Sequence, residues 1–114
     1  MHHILTNVTP KNELLNISEI RFDDEMIKAV VDVEKEIIAI DAELHSDLEA
    51  LLLQKDSLQE NLWGINFYPL ESDDDFIEFD SLINIRPQQN NRSRDVEDSS
   101  VRKEIMRIVK KWIN

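Results

Sequence analysis

MIKAVVDVEKEIIAI, residues 26–40, decides how the chain folds. Read at period two, Met26–Val33 places Ile27, Ala29, Val31 and Val33 on one face and Lys28, Val30 and Asp32 on the other, the pattern of a strand with one buried side. Glu34-Lys35 reads as a tight turn, and Ile37–Ile40 opens a second strand running on toward Glu43 and His45. The competing reading is a helix over 28–43, because Glu, Lys and Ala favour one. The density of β-branched residues favours the hairpin.

Working outward, Leu48–Leu53 is a third apolar run, closed by the polar turn Gln54-Lys55-Asp56-Ser57. In the fourth run, Leu62–Pro69, Trp63, Ile65 and Phe67 oppose Gly64, Asn66 and Tyr68. After the acidic turn Glu71–Asp75, the alternation of Ile77, Phe79, Ser81, Ile83 and Ile85 predicts a fifth strand over 76–86, stopped by Pro87, which cannot donate to a ladder. Upstream, His2 and His3 before Ile4-Leu5 read as the start of an edge strand, and Thr9-Pro10 as the cap and first turn of a short helix reaching Ser18. Downstream, Asp98 caps a terminal helix with Val101, Ile105, Ile108, Val109, Trp112 and Ile113 at helical spacing.

The fold expected is α+β: an antiparallel β-meander of about five strands, with an N-terminal and a C-terminal helix packed on one face. Residues 1–114 read as one domain. Residues 1–25 form the N-terminal strand and helix, 26–86 the meander, 87–97 a polar arginine loop and 98–114 the last helix.

The 114 residues are 41% hydrophobic and 32% charged, which suits one soluble domain. With no cysteine there is neither a disulfide nor a thiolate zinc site, and nothing points to an oxidising compartment. The N-terminus lacks the basic start and apolar run of a secretory signal, and no later apolar run approaches roughly 18 residues. A cytoplasmic protein without membrane contact is expected. Net charge is −11, unevenly spread: residues 1–85 hold 5 Lys/Arg against 20 Asp/Glu, whereas residues 86–114 hold 8 against 4. The basic terminal helix is expected to neutralise part of the acidic body, and a nucleic-acid partner is disfavoured.

If the strands pair in chain order, the helix-free sheet face gathers Lys28, Asp32, Glu43, His45, Asn66, Tyr68, Glu78, Asp80, Asn84 and Arg86, with the arginine loop at its rim. Such a face is either solvated or a binding surface. Arg86, Arg92 and Arg94 with Asn90 and Asn91 are donors of the kind that hold carboxylate or phosphate. The anion-binding set expected is therefore Asn66, Tyr68, Asn84, Arg86, Asn91, Arg92 and Arg94. Gly64, the single glycine, marks close approach by a ligand or backbone, or an aromatic such as Phe76 lying over it.

Glu43, His45, Asp47 and Glu49 fall at every second position, so an extended chain would point all four one way. Glu43, His45, Asp47 and Asp80 are the catalytic candidates, His45 acting as acid or base. Metal sites of this kind recruit further His or Cys, and His45 is the only histidine beyond the first three residues, so no metal or cofactor is expected. One glycine excludes the dinucleotide and phosphate-loop fingerprints. Trp63 and Trp112 read as core anchors, and the aspartates at 73–75 as a solvated turn.

Three stretches, VVDVEKEIIAIDAELHSD (30–47), QENLWGINFYPL (59–70) and IEFDSLINIRPQQNNRSRDVED (77–98), carry a resemblance. Together they resemble the domain of unknown function 5674 family of small prokaryotic proteins, from about Met26 to the C-terminus. The matching positions are Glu43, His45, Asp47, Trp63, Asn66, Tyr68, Asn84, Arg86, Asn91, Arg92 and Arg94. The family pattern has glycines where this chain has Asp41-Ala42, Asp56-Ser57 and Asn90. The resemblance implies that the polar face and arginine loop belong to one site, and it implies no activity.

Two functions follow. One is a non-enzymatic binding or regulatory protein that recognises a small anionic ligand or a protein partner, as a homodimer through a sheet edge or through Phe76 and Leu82. The other is a small hydrolase or metal-dependent enzyme using His45 with nearby carboxylates.

Overall fold

The computed structural model describes residues 3–23 and 25–114; His2 of the expected edge strand and Asp24 lie outside them. Five antiparallel strands, β1 (His3–Ile4), β2 (Ile27–Asp32), β3 (Ile37–Ile40), β4 (Leu62–Phe67) and β5 (Ile77–Glu78), form one sheet in the order β1-β3-β2-β4-β5. The helices are α1 (Leu14–Ile17), α2 (His45–Gln54) and α3 (Ser99–Trp112). The fold is α+β. None of the helices among the described residues is long and apolar enough to cross a membrane.

The hairpin forms where the pattern of residues 26–40 places it, with Ala29 opposite Ile40 and Asp32 opposite Ile37. Its turn is held by Asp32, whose Oδ1 accepts the Glu34 and Lys35 N–H groups at 2.9 Å each, while Oδ2 accepts the Ser57 hydroxyl at 2.6 Å. Such local side-chain bonds are what make aspartate a turn residue.

Beyond the hairpin, the second strand stops at Ile40 rather than running to His45. Asp41 takes a left-handed φ of 79°, and its carboxylate accepts the Glu19 and Ile20 N–H groups. Residues 48–53 are helix rather than strand: Leu48 and Leu52 are fully buried one turn apart, and His45 sits on the same side. Because α2 carries the chain across β2, β4 pairs with β2 and the sheet departs from chain order.

The alternate residues of the strands separate two apolar layers. Ile27, Ala29, Val31, Ile38, Ile40, Trp63, Ile65 and Phe67 face Leu14 of α1 and Ile105, Ile108 and Val109 of α3, so the terminal helices do share one face. Val30, Ala39 and Leu62 face Leu48 and Leu52 of α2. The second face is thus covered rather than helix-free. Burying each of these leucines contributes about 1.5–3 kcal/mol.

The last expected strand is cut to two residues, and Ser81 approaches the strand beside it. A Cβ on Gly64 would lie 2.5 Å from Ser81 Cβ, so glycine is required there by a neighbouring side chain, not by Phe76. Phe76 instead stacks on Phe67, ring centroids 4.9 Å apart. It is buried, which takes it off any dimer surface, whereas Leu82 remains exposed. Asp98 caps α3 through Ser100 N–H, as its sequence position predicts. Thr9 does not cap α1; its backbone bridges Ile113. The basic helix meets the acidic body at Glu36, paired with Arg107 at 3.1 Å and Lys111 at 3.3 Å.

Candidate functional site

The asparagine and arginine block from Asn84 to Arg94 is wired into backbone. Asn84 is fully buried; its Oδ1 accepts Gly64 N–H at 2.8 Å and its Nδ2 donates to Gly64 C=O at 2.9 Å. One side chain thus supplies the ladder partner that a continued β5 would have given. Asn91, also buried, donates to the carbonyls of Asn84 and Asp95 at 2.7 Å each and accepts Glu97 N–H at 2.8 Å, which closes the loop on itself. Arg86 is 4% exposed, lies 4.2 Å above the Trp63 ring, and donates to the carbonyls of Gln59 and Leu62. Burial lowers its guanidinium from the ordinary arginine value.

The remaining arginines do not converge with Arg86. Arg94 Nε donates to Asp80 Oδ1 at 2.6 Å on the surface. The Arg92 guanidinium is exposed and makes no hydrogen bond or close ion pair among the described residues, although its charge helps to lower the Glu97 carboxyl and its backbone N–H reaches Glu97. An anion here would meet one whole guanidinium and the spare nitrogens of another, both in solvent, where charge pairing is weak.

His45, Asn66, Tyr68, Glu78 and Asp80 gather at the N-terminal end of α2. Asn66 Nδ2 donates to Glu78 Oε1 at 2.8 Å and to the Asp80 carbonyl at 3.2 Å, and Tyr68 O–H reaches the same Glu78 oxygen at 3.2 Å. Burial and the Glu78 carboxylate push the Tyr68 phenol up. Buried His45 lies 2.9 Å, through Nε2, from the Ile65 carbonyl. A carbonyl only accepts, so Nε2 carries the proton and Nδ1 is bare in the neutral ring. Burial lowers the His45 pKa, with Lys28 acting the same way and the Ile65 carbonyl, Asn66 and Asp80 opposing. Glu43 and Asp47 are exposed and turned away by the helix start, so the alternating array of acids and imidazole does not form. No group of three or more metal-ligating side chains occurs among the described residues.

Sequence reasoning missed a groove on the opposite layer. It has a volume of about 500 Å³ and runs between α3 and β5. One wall is the helical stripe Met106, Val109, Lys110 and Ile113, and the other is Phe76, Ile77 and Phe79, with Lys11, Asp73 and Asp74 at one end. The signal was there: Met106 is an apolar residue on the wet side of α3, in helical register with Val109 and Ile113. It is 39% exposed. Lys11 is already occupied, its ammonium donating to the Glu71 carbonyl and lying 4.8 Å from the Phe76 ring centre.

Fold and surface together define a small acidic α+β domain, a five-stranded antiparallel sheet with helices on both faces. Its sequence matches, over residues 3–112, the family described as "Protein of unknown function (DUF5674)", and the chain belongs to that family. No curated protein and no solved structure matches it.

Proposed function

We propose that this is a small cytoplasmic, non-enzymatic binding protein whose ligand or partner seats in the groove between α3 and β5. The observation that carries this reading is the groove itself. It is concave, of ligand size, walled mostly by apolar side chains and rimmed by a few charges. Among the described residues its lining holds no histidine, serine or tyrosine, and its carboxylates, Asp73 and Asp74, sit in an exposed turn.

The polar face supports this reading less well as an anion site, because Asn84, Arg86 and Asn91 are spent on backbone partners. It supports a hydrolase least. The proton of His45 is committed to a backbone carbonyl, and Glu43 and Asp47 lie apart from the ring in solvent.

A thermal-shift panel of apolar fragments, phosphate and dicarboxylates tests it on wild type and Arg92→Ala. Saturating a groove ligand at about 100 times its Kd adds roughly 2.7 kcal/mol. Stabilisation by apolar or apolar-anionic compounds, retained in Arg92→Ala, supports the groove. Stabilisation by phosphate alone, lost in Arg92→Ala, would move the site to the arginine loop.

A further inference from the structure

Resting on the groove reading, we propose that the occupant is an extended segment of a partner protein, alternating apolar and basic residues, which adds a strand to the free edge of β5.

The register of β5 supplies the first argument. Phe67 stands opposite Ile77, and Tyr68 N–H donates to the Phe76 carbonyl at 2.8 Å. The backbone groups of Phe76 and Glu78 therefore turn toward β4, and those of Ile77 and Phe79 turn outward, since direction alternates along a strand. No other element bonds to them among the described residues. An open edge of this kind is a template for an incoming strand.

Side-chain direction supplies the second. Ile77 and Phe79 lie on the α3 side of the sheet and Glu78 on the other. In an added strand, alternate residues would continue the surface of Ile77 and Phe79 under Met106, filling the groove. The residues between them would stand beside Glu78 and Asp80 on the opposite face. Apolar side chains suit the first set.

Charge selects the second set. Glu78 is exposed and, unlike Asp73 at the groove end, which pairs with Lys11 at 3.5 Å, it meets no cation among the described residues. Residues 1–85, which contain all of these, carry 20 acidic against 5 basic residues. Lysine or arginine on the Glu78 side is complementary, and an acidic strand there would be repelled.

The test uses a capped peptide alternating valine and lysine, titrated into the ¹⁵N-labelled full chain, with an alternating valine–glutamate peptide as control. The expected result is shifts at Ile77, Phe79 and Met106 together with slowed hydrogen exchange of the Ile77 and Phe79 amides. Met106→Glu, at a half-exposed position, should weaken binding by roughly tenfold or more. Ile77→Pro removes an outward donor that the ladder to β4 does not use, and it should weaken binding as well. Shifts without slowed exchange would overturn strand addition, and equal binding of the glutamate peptide would overturn the basic partner. Indole titrated separately distinguishes the two proposals: if it shifts the groove while the peptide does not, the groove stands and the strand partner falls. If neither binds, both fall.

Discussion

Gly64 shows how a single residue sets this fold. The Cβ of an alanine would sit 2.5 Å from Ser81 Cβ and 2.6 Å from its Oγ. Gly64→Ala is expected to destabilise the protein by about 1–3 kcal/mol through overpacking, read as a lower urea midpoint at unchanged slope. The position was legible as a close approach, but the partner was not, because Ser81 and Asn84 are brought there by a turn the alternating pattern hides. The three places where the resemblance implies glycine also have a physical reading. Asp41, Asp56 and Asn90 have φ values of 79°, 70° and 62°, the left-handed region that glycine enters freely. Asp56 ends α2: its N–H bonds Leu53 O, and Ser57 N–H reaches back to Leu52 O, as in a glycine-capped helix end. Asp56→Gly is expected to stabilise by about 0.5–1 kcal/mol in the same urea assay. Asp41 should not gain, since glycine would strip the acceptor from Glu19 and Ile20.

His45 gives the clearest pH dependence. Its folded pKa lies below the ordinary 6.5, mainly through burial. The unfolded chain therefore takes up the proton first, and the His45 contribution is complete above 6.5 and is lost as pH falls from there through the lowered folded value. Urea midpoints should drop as pH falls below the ordinary histidine value of 6.5, and the drop should shrink in His45→Gln. An unchanged slope in that variant would mean another group is responsible.

Among the elements, α2 and β5 were the least legible, for opposite reasons. Residues 45–54 carry the helical spacing of His45, Leu48 and Leu52, but Leu51-Leu52-Leu53 in a row blur it into a short apolar run that fits strand or helix. Tertiary packing then decides: a strand would also put Leu48 and Leu52 on one face, but only a helix buries His45 on that same side while they pack on Val30, Ala39 and Leu62. Leu48→Ala is expected to cost about 2–5 kcal/mol by urea unfolding, the mark of a second core layer. Over residues 76–86 the alternation was clean, yet the strand ends at Glu78. Asn84, set by the short helical turn Leu82–Asn84, offers Gly64 both a donor and an acceptor, and this side-chain pairing replaces the ladder. The hairpin of 26–40, the alternation of β4 and the capped α3 were legible because their local patterns and their burial agree.

For the whole molecule, the charge asymmetry was readable and acts where expected, with α3 docked by Arg107 and Lys111 on Glu36. The candidate site was readable only as a set of polar residues. Donor-rich sequence looks the same whether its donors meet a ligand or the chain's own carbonyls. Here Asn84, Arg86 and Asn91 meet carbonyls, and the concave apolar surface lies elsewhere, between α3 and β5. The most direct test is an amide chemical-shift map with indole on wild type, Met106→Glu and Arg92→Ala. The account predicts shifts around Met106, Ile77 and Phe79 that Met106→Glu abolishes and Arg92→Ala leaves intact. Shifts clustered at residues 84–94 and lost with Arg92 would contradict it.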